Sequence, residues 1–252
     1  MKRILIMIAL SIIGLSLFAQ QYTGMSGLIH VPSAEMDKEG DARVGVHFLN
    51  REFSPNNFSY HTTTHYLSIT PFSWVEIGYT CTLMKGIKVI DGNATDGGYS
   101  HKDRYFSVKI QPIKEGRWWP SVAVGTNDPY GTGNKDKLTD EQIARGDDGN
   151  SQYFCNYYVA ATKHLYIKQH ELGVHLAYRH FKRDYNSKWN GIVGGITCRP
   201  SFARNLRAIA EYTGNDLNIG IDCLLWKYFL LQASLQDGRY FSGGVCFRTN
   251  LF

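Results

Sequence analysis

The sequence predicts an all-β fold, a transmembrane antiparallel β-barrel of about twelve strands preceded by a short N-terminal segment. Three observations carry that reading. Apolar and polar residues alternate with period two almost everywhere after Gly40, the mark of strands with two unlike faces. The connections between these stretches alternate long and short, as they must when both chain ends lie on one side of a membrane. Aromatic residues gather near both ends of the predicted strands, where a bilayer has its two interfaces.

The alternation is plain in the third stretch. Val75, Ile77, Tyr79, Cys81 and Leu83 lie on one face, and Glu76, Gly78, Thr80 and Thr82 on the other. Leu172, Val174, Leu176 and Tyr178 oppose Glu171, Gly173, His175, Ala177 and Arg179 in the same way. Leu217, Ile219, Ile221 and Cys223 oppose Asn218, Gly220 and Asp222. Glycines on the polar face suit a crowded interior in which small residues alternate with large ones.

Applied along the chain, this pattern places strands near 41–50, 59–70, 74–84, 103–111, 119–126, 152–162, 170–180, 189–199, 205–213, 216–224, 229–236 and 240–252. The expected outer loops are 51–58, 85–102, 127–151, 181–188, Gly214–Asn215 and Asp237–Arg239. The expected inner turns are Pro71–Phe72, 112–118, 163–169, 200–204 and Trp226–Tyr228. The two longest polar loops both fall outside, which a miscounted strand would have reversed. Phe72, Trp74, Trp118, Trp119, Trp226, Tyr228 and Phe229 mark the inner rim. Tyr60, Tyr178, Trp189, Tyr212, Tyr240 and Phe241 mark the outer one. A soluble sandwich also alternates, but has no reason to ring both ends with aromatics.

The N-terminus reads as an export signal over residues 1–19. Lys2 and Arg3 precede an apolar run from Ile4 to Phe18, and Ala19 offers a cleavage site before Gln20. The run is too short for a membrane-spanning helix with a stop-transfer flank. No cysteine follows it, which argues against a lipid anchor at that point. Residues 20–40 do not alternate, and Pro32 interrupts them. Their expected place is the lumen, or its periplasmic mouth, with the barrel proper occupying 41–252.

Composition narrows the function classes. Mean hydropathy is −0.28, which is compatible with a barrel because each strand shows only alternate residues to lipid. The net charge of +5 includes two residues of the signal, and no basic patch interleaved with aromatics suggests a nucleic-acid partner. Five cysteines, Cys81, Cys155, Cys198, Cys223 and Cys246, show neither a paired nor a zinc spacing. They read as small apolar residues within strands, the first four on the apolar face. No cofactor or metal site is expected.

The faces opposite the apolar ones are rich in charge. Arg43, His47, Glu76, Lys109, Glu171, His175, Arg179, Arg199, Arg207, Glu211, Asp222 and Arg248 all point inward in this reading. Arg207 and Glu211 share a face of one strand, and Asp222 points the same way from the next. Two roles follow: paired charge that plugs a narrow lumen, or contacts along a path for an ionic glycan. Catalysis has little support. His61, Thr63 and His65 fall on the lipid face, and no serine sits in a nucleophile elbow. His170 and His175 face opposite ways.

Several stretches together resemble the YjbH-type exopolysaccharide-export family of outer-membrane proteins. They begin with Thr23-Gly24-Met25-Ser26-Gly27-Leu28-Ile29-His30-Val31-Pro32-Ser33-Ala34-Glu35-Met36, with Gly40 and Gly45 beside the first strand. Tyr66-Leu67-Ser68-Ile69-Thr70-Pro71-Phe72 then leads into Val75-Glu76-Ile77-Gly78. The most specific piece runs from Asp103-Arg104 through Lys109 and Glu115-Gly116 to Pro120-Ser121-Val122-Ala123-Val124-Gly125, and closes with Asp128 and Gly131-Thr132-Gly133. The likeness returns at Glu211-Tyr212 and at Leu230-Leu231-Gln232-Ala233-Ser234-Leu235. Members of the family are commonly longer, with more than one barrel-sized unit, and this chain has room for one. The resemblance implies an outer-membrane location, a link to polysaccharide or capsule secretion, and polysaccharide and periplasmic export proteins as partners beside membrane lipid. It implies no catalytic residue. The last strand ends on Phe252, as outer-membrane barrels do, one residue out of phase with Val245, Phe247 and Leu251.

Overall fold

The computed structural model describes residues 20–55, 60–90, 93–130 and 152–252. The proposed signal peptide and most of the 127–151 loop lie outside these residues. Twelve antiparallel strands form one closed barrel in which each pairs with its neighbours in sequence and the first pairs with the last. They are β1 (Asp41–Leu49), β2 (Thr62–Phe72), β3 (Val75–Ile90), β4 (Asn93–Ile113), β5 (Ser121–Asn127) and β6 (Asn156–Ile167). β7 (His170–Phe181), β8 (Gly191–Arg199), β9 (Leu206–Tyr212), β10 (Leu217–Leu225), β11 (Phe229–Gln236) and β12 (Tyr240–Asn250) complete the circle. Closure leaves no unpaired sheet edge, the condition a strand must meet to cross a bilayer.

Period two sets which side chains face out. Val44, Leu67, Leu176, Ile196, Ile219 and Ile221 are each at least half exposed. Their neighbours Arg43, Ser68, His175, Thr197, Asn218 and Asp222 are buried inside. The register keeps the faces aligned from strand to strand: Gly78 lies opposite Ser68 and Ser107, and Ala177 opposite Ala160. An apolar exterior over a polar, packed interior is the inverse of a soluble sandwich.

Several boundaries differ from the sequence reading, each for a local reason. The stretch 85–102 is not a loop but the continuation of β3 and β4, paired as far as Ile90 opposite Asn93. The β-branched run Ile87-Lys88-Val89-Ile90 extends the ladder, with register shifts near Met84–Lys85 and Gly86–Lys88. Pro71 and Pro112, read as turn residues, sit at register shifts inside β2 and β4, where the missing N–H breaks no regular ladder. The turn after β2 is therefore Ser73–Trp74. The region 163–169 contracts to Lys168–Gln169, because Lys163–Ile167 pair with His170–Val174. Lys168 takes the positive φ of 57° that so tight a turn requires.

Cys155 precedes β6 and is buried rather than facing lipid, since the chain turns inward at Gln152, φ 31°. Cys246 is also buried, and all five thiols are free. Trp189, expected in the outer aromatic ring, instead precedes β8 in a short 3-10 turn, Asp184–Trp189, and is buried.

Candidate functional site: a lumen filled by the N-terminal segment

Residues 20–37 lie inside the barrel, and every one of them is buried. The segment has almost no regular structure, only isolated bridges between Gln20 and Ser26 and between Gly27 and Pro32. Its backbone groups therefore need partners elsewhere, and the barrel wall supplies them. The strands β1 and β12 enclose it at the end of the barrel that carries both chain termini, called here the terminal end. There Gly40 N–H donates to Thr70 O and Leu251 N–H to Gly40 O.

Glu211 on β9 makes the densest set of contacts. Its carboxylate accepts the backbone N–H groups of Ile29 (3.1 Å), His30 (2.9 Å) and Val31 (3.1 Å), and the Asn218 amide at 2.8 Å. Three consecutive N–H groups converging on one carboxylate form an anion-binding nest built by the segment itself. On the opposite wall Glu76 of β3 accepts Ser26 N–H at 2.7 Å and pairs with Lys109 Nζ of β4 at 2.9 Å. Lys109 Nζ donates in turn to the carbonyls of Ser26 and Glu35, each at 2.7 Å. Neither ion of this pair is solvated, so each depends on the segment to complete its shell.

Arg207 joins wall and segment most directly. It donates to Asp222 Oδ2 from Nε and Nη2 (3.1 and 3.0 Å), to Glu35 from Nη1 (3.2 Å), and to Gly27 O from Nη2 (3.3 Å). Arg207 and Glu211, which share a face in sequence, are not partners: one holds a carboxylate of the segment, the other its backbone. Asp37 pairs with Arg43, and Asp41 pairs with Arg248 at 3.0 Å. His175 lies between Thr162 and Thr197 hydroxyls, 3.1 Å from each, and Thr162 also accepts Ala34 N–H at 3.0 Å. Thr64 and Thr80 hydroxyls donate to Tyr22 O and Thr23 O.

The inward residues read from sequence thus divide by partner. Glu76, Lys109, Arg179, Arg207, Glu211 and Arg43 hold the segment. Glu171 pairs with Arg199 near the terminal end, Arg248 pairs with Asp41, and Asp222 supports Arg207. His47 is buried beside Gly244. The residues missed from sequence are the segment's own: Ser26, His30, Glu35 and Asp37.

Toward the far end an aromatic cap closes the lumen. The His30 ring sits 4.8 Å from Trp189, 5.0 Å from Tyr22 and 5.6 Å from Phe53, centre to centre. Arg179 donates to His30 O at 2.6 Å, and Trp189 Nε1 to Asp216 Oδ2 at 3.0 Å. Burial, with the charge of Asp103 nearby, pushes the Asp128 carboxyl just beyond β5 up to about 8. His61 precedes β2 and His65 points outward, both exposed, and no group of three metal-ligating side chains occurs among the described residues. Chemically the arrangement is a latch of ion pairs and backbone hydrogen bonds.

Comparison with known proteins gives two kinds of likeness. Two solved structures align over most of their length. One is the outer-membrane phospholipase dimer of Salmonella typhi with bound calcium, at 10% identity and a TM-score of 0.34, covering 85% of this chain and 92% of that one. The other is outer membrane phospholipase A of Escherichia coli, at 11% identity and the same score, covering 86% and 99%. In sequence, 116 residues are 29% identical to the uncharacterized lipoprotein YjbH of Escherichia coli K12, spanning 46% of this chain but only 15% of that protein. Residues 19–136 match the model of the YjbH family, described as exopolysaccharide biosynthesis protein YbjH. That span holds the lumenal segment and the strands β1 to β5 with Glu76 and Lys109, so over residues 19–136 this chain is YjbH-like.

Proposed function

We propose that the chain is an outer-membrane barrel serving exopolysaccharide or capsule secretion, non-catalytic, and held shut at rest by residues 20–37. The observation that carries the closed state is the pairing of the inner charges with that segment: Glu211, Arg207 and the Glu76–Lys109 pair all engage it. A lumen so filled is the closed state in this reading. The apolar exterior and the aromatic rims support the membrane setting. The match of residues 19–136 to the exopolysaccharide biosynthesis family model supports the polysaccharide role, while the chain spans only 15% of the length of the Escherichia coli relative.

Two measurements test the reading. Deleting the gene should lower surface polysaccharide, and the intact chain should restore it; unchanged polysaccharide after deletion would remove the secretion role. In planar bilayers the native chain should conduct little, and a variant lacking residues 20–37 should open steps of conductance at least about tenfold larger, as a polar lumen without its plug must. Equal conductance in both would refute the closed state.

A further inference from the structure

Four of the five turns at the terminal end repeat one combination that the plugged lumen does not use; the fifth, Ser73–Trp74, carries the aromatic with no cation next to it in the chain. Each of the four turns after β4, β6, β8 and β10 carries an exposed aromatic side chain beside an exposed cation. After β4, Trp118 is 81% exposed and Arg117 stacks on it at 5.1 Å. After β6, Tyr166 and Lys168 are exposed; after β8, Phe202 and Arg204. After β10, Trp226 and Lys227 follow one another with positive φ of 48° and 70°, a turn that presents both side chains outward.

None of these four cations has a carboxylate partner among the described residues. Other carboxylates of the same rim have partners of their own: Glu115 pairs with Lys163 and His164, Glu171 pairs with Arg199, and exposed Glu39 accepts the Ser73 N–H at 3.2 Å beside Lys38. The rim is therefore a ring of amphipathic aromatics with uncompensated positive charge. The described turns of the far end differ, since Arg51 pairs with Glu52, and exposed Asp184 and Asp237 sit beside Lys182 and Arg239.

Resting on the membrane reading above, we propose that the terminal rim binds the phosphates of anionic phospholipid headgroups. Trp, Tyr and Phe seat at headgroup depth. Cations held at the same depth meet the phosphodiester layer, and each contributes attraction that depends on anionic lipid and falls with salt. A lipid anion fits better than a soluble one because the cations are spread around the barrel, one on each of four successive terminal turns, and do not converge on a single pocket.

The test places the full chain in vesicles of phosphatidylcholine alone and in vesicles with about three parts in ten phosphatidylglycerol. Lipids retained after detergent extraction are then compared by native mass spectrometry. The retained ratio of phosphatidylglycerol to phosphatidylcholine should exceed that of the vesicle about fivefold, and 0.5 M salt, at about half of the physiological Debye length, should bring it near parity. The combined reversal Arg117→Glu, Lys168→Glu, Arg204→Glu and Lys227→Glu should abolish enrichment. Exchange of Arg for Lys at those positions, and Lys182→Glu with Arg239→Glu at the far end, should preserve it. Inorganic phosphate should not reduce retention. Parity in the native chain, or enrichment indifferent to salt, overturns the inference even if the reversed variant fails to assemble. A chain that enters neither vesicle sinks the membrane reading itself, and this inference with it.

Discussion

At the scale of single residues, the wall is shaped to the segment it encloses. Gly78 is an instance: a Cβ there would lie 2.8 Å from Met25 Sδ, and its next neighbour would be 3.7 Å away. Gly78→Val should therefore loosen the segment while leaving β3 intact, raising protease cleavage within 20–37. Met25→Ala in the same chain should restore protection, whereas equal cleavage in single and double variants would place the strain in the strand. Arg207 gives a sharper case, since it serves both Glu35 and Asp222. Arg207→Met leaves buried Asp222 unpaired and Glu35 with His164 alone, at 3.3 Å, and should cost about 3–5 kcal/mol, read as urea unfolding in micelles. Glu35→Gln leaves the Arg207–Asp222 pair whole and should cost less than half as much. The reverse order would mean that Glu35, not Arg207, organises the site. The inward direction of these charges was legible in period two. Their partners were not, because the partners come from a segment without periodicity. One sign was available: in register, Arg43 faces Arg248 across β1 and β12. Two like charges directly opposed require anions from elsewhere, and Asp37 and Asp41 provide them.

At the scale of elements, twelve strands were readable from sequence because an apolar outer face and packed polar groups on the inner one impose strict alternation. Their ends were less so. Beyond the apolar belt the alternation lapses, so β3 and β4 run on through a stretch that reads as loop, and Trp189 could be mistaken for a rim residue when it stacks within the lumen. Val174 is nearly half exposed on β7, while a Cβ on its neighbour Gly173 would meet the Thr197 hydroxyl. Val174→Arg should cost about 2–4 kcal/mol in lipid vesicles if that face meets hydrocarbon at mid-depth. In water-soluble amphipol the same change should be far milder, and equal cost in both would deny contact with lipid. For orientation, an epitope inserted between Ile90 and Asn93 should be labelled on intact cells, and one at Ser73–Trp74 only after permeabilisation. Labelling in the opposite sense would invert the barrel.

At the scale of the whole molecule, the closing seam carries a consequence for assembly. β1 and β12 are the first and last strands made, and their pairing sets Arg43 against Arg248. Without the carboxylates of Asp37 and Asp41, zipping the seam would press two guanidinium groups together in a confined space. Asp41 belongs to β1 and goes with the wall, so Asp37, just before β1, acts as the permission step: the cylinder shuts readily only around a segment already threaded through it. An empty cylinder is the slower product, since it must close against its own charge. Asp37→Asn should then lengthen the time to the compact, heat-modifiable form after dilution from urea into micelles, by about tenfold if about 1.4 kcal/mol of repulsion falls on the closing step. Arg248→Gln in the same chain should return the native rate. If the first change leaves the rate untouched, the seam closes before the lumen is filled, and the segment must enter a finished cylinder from its mouth.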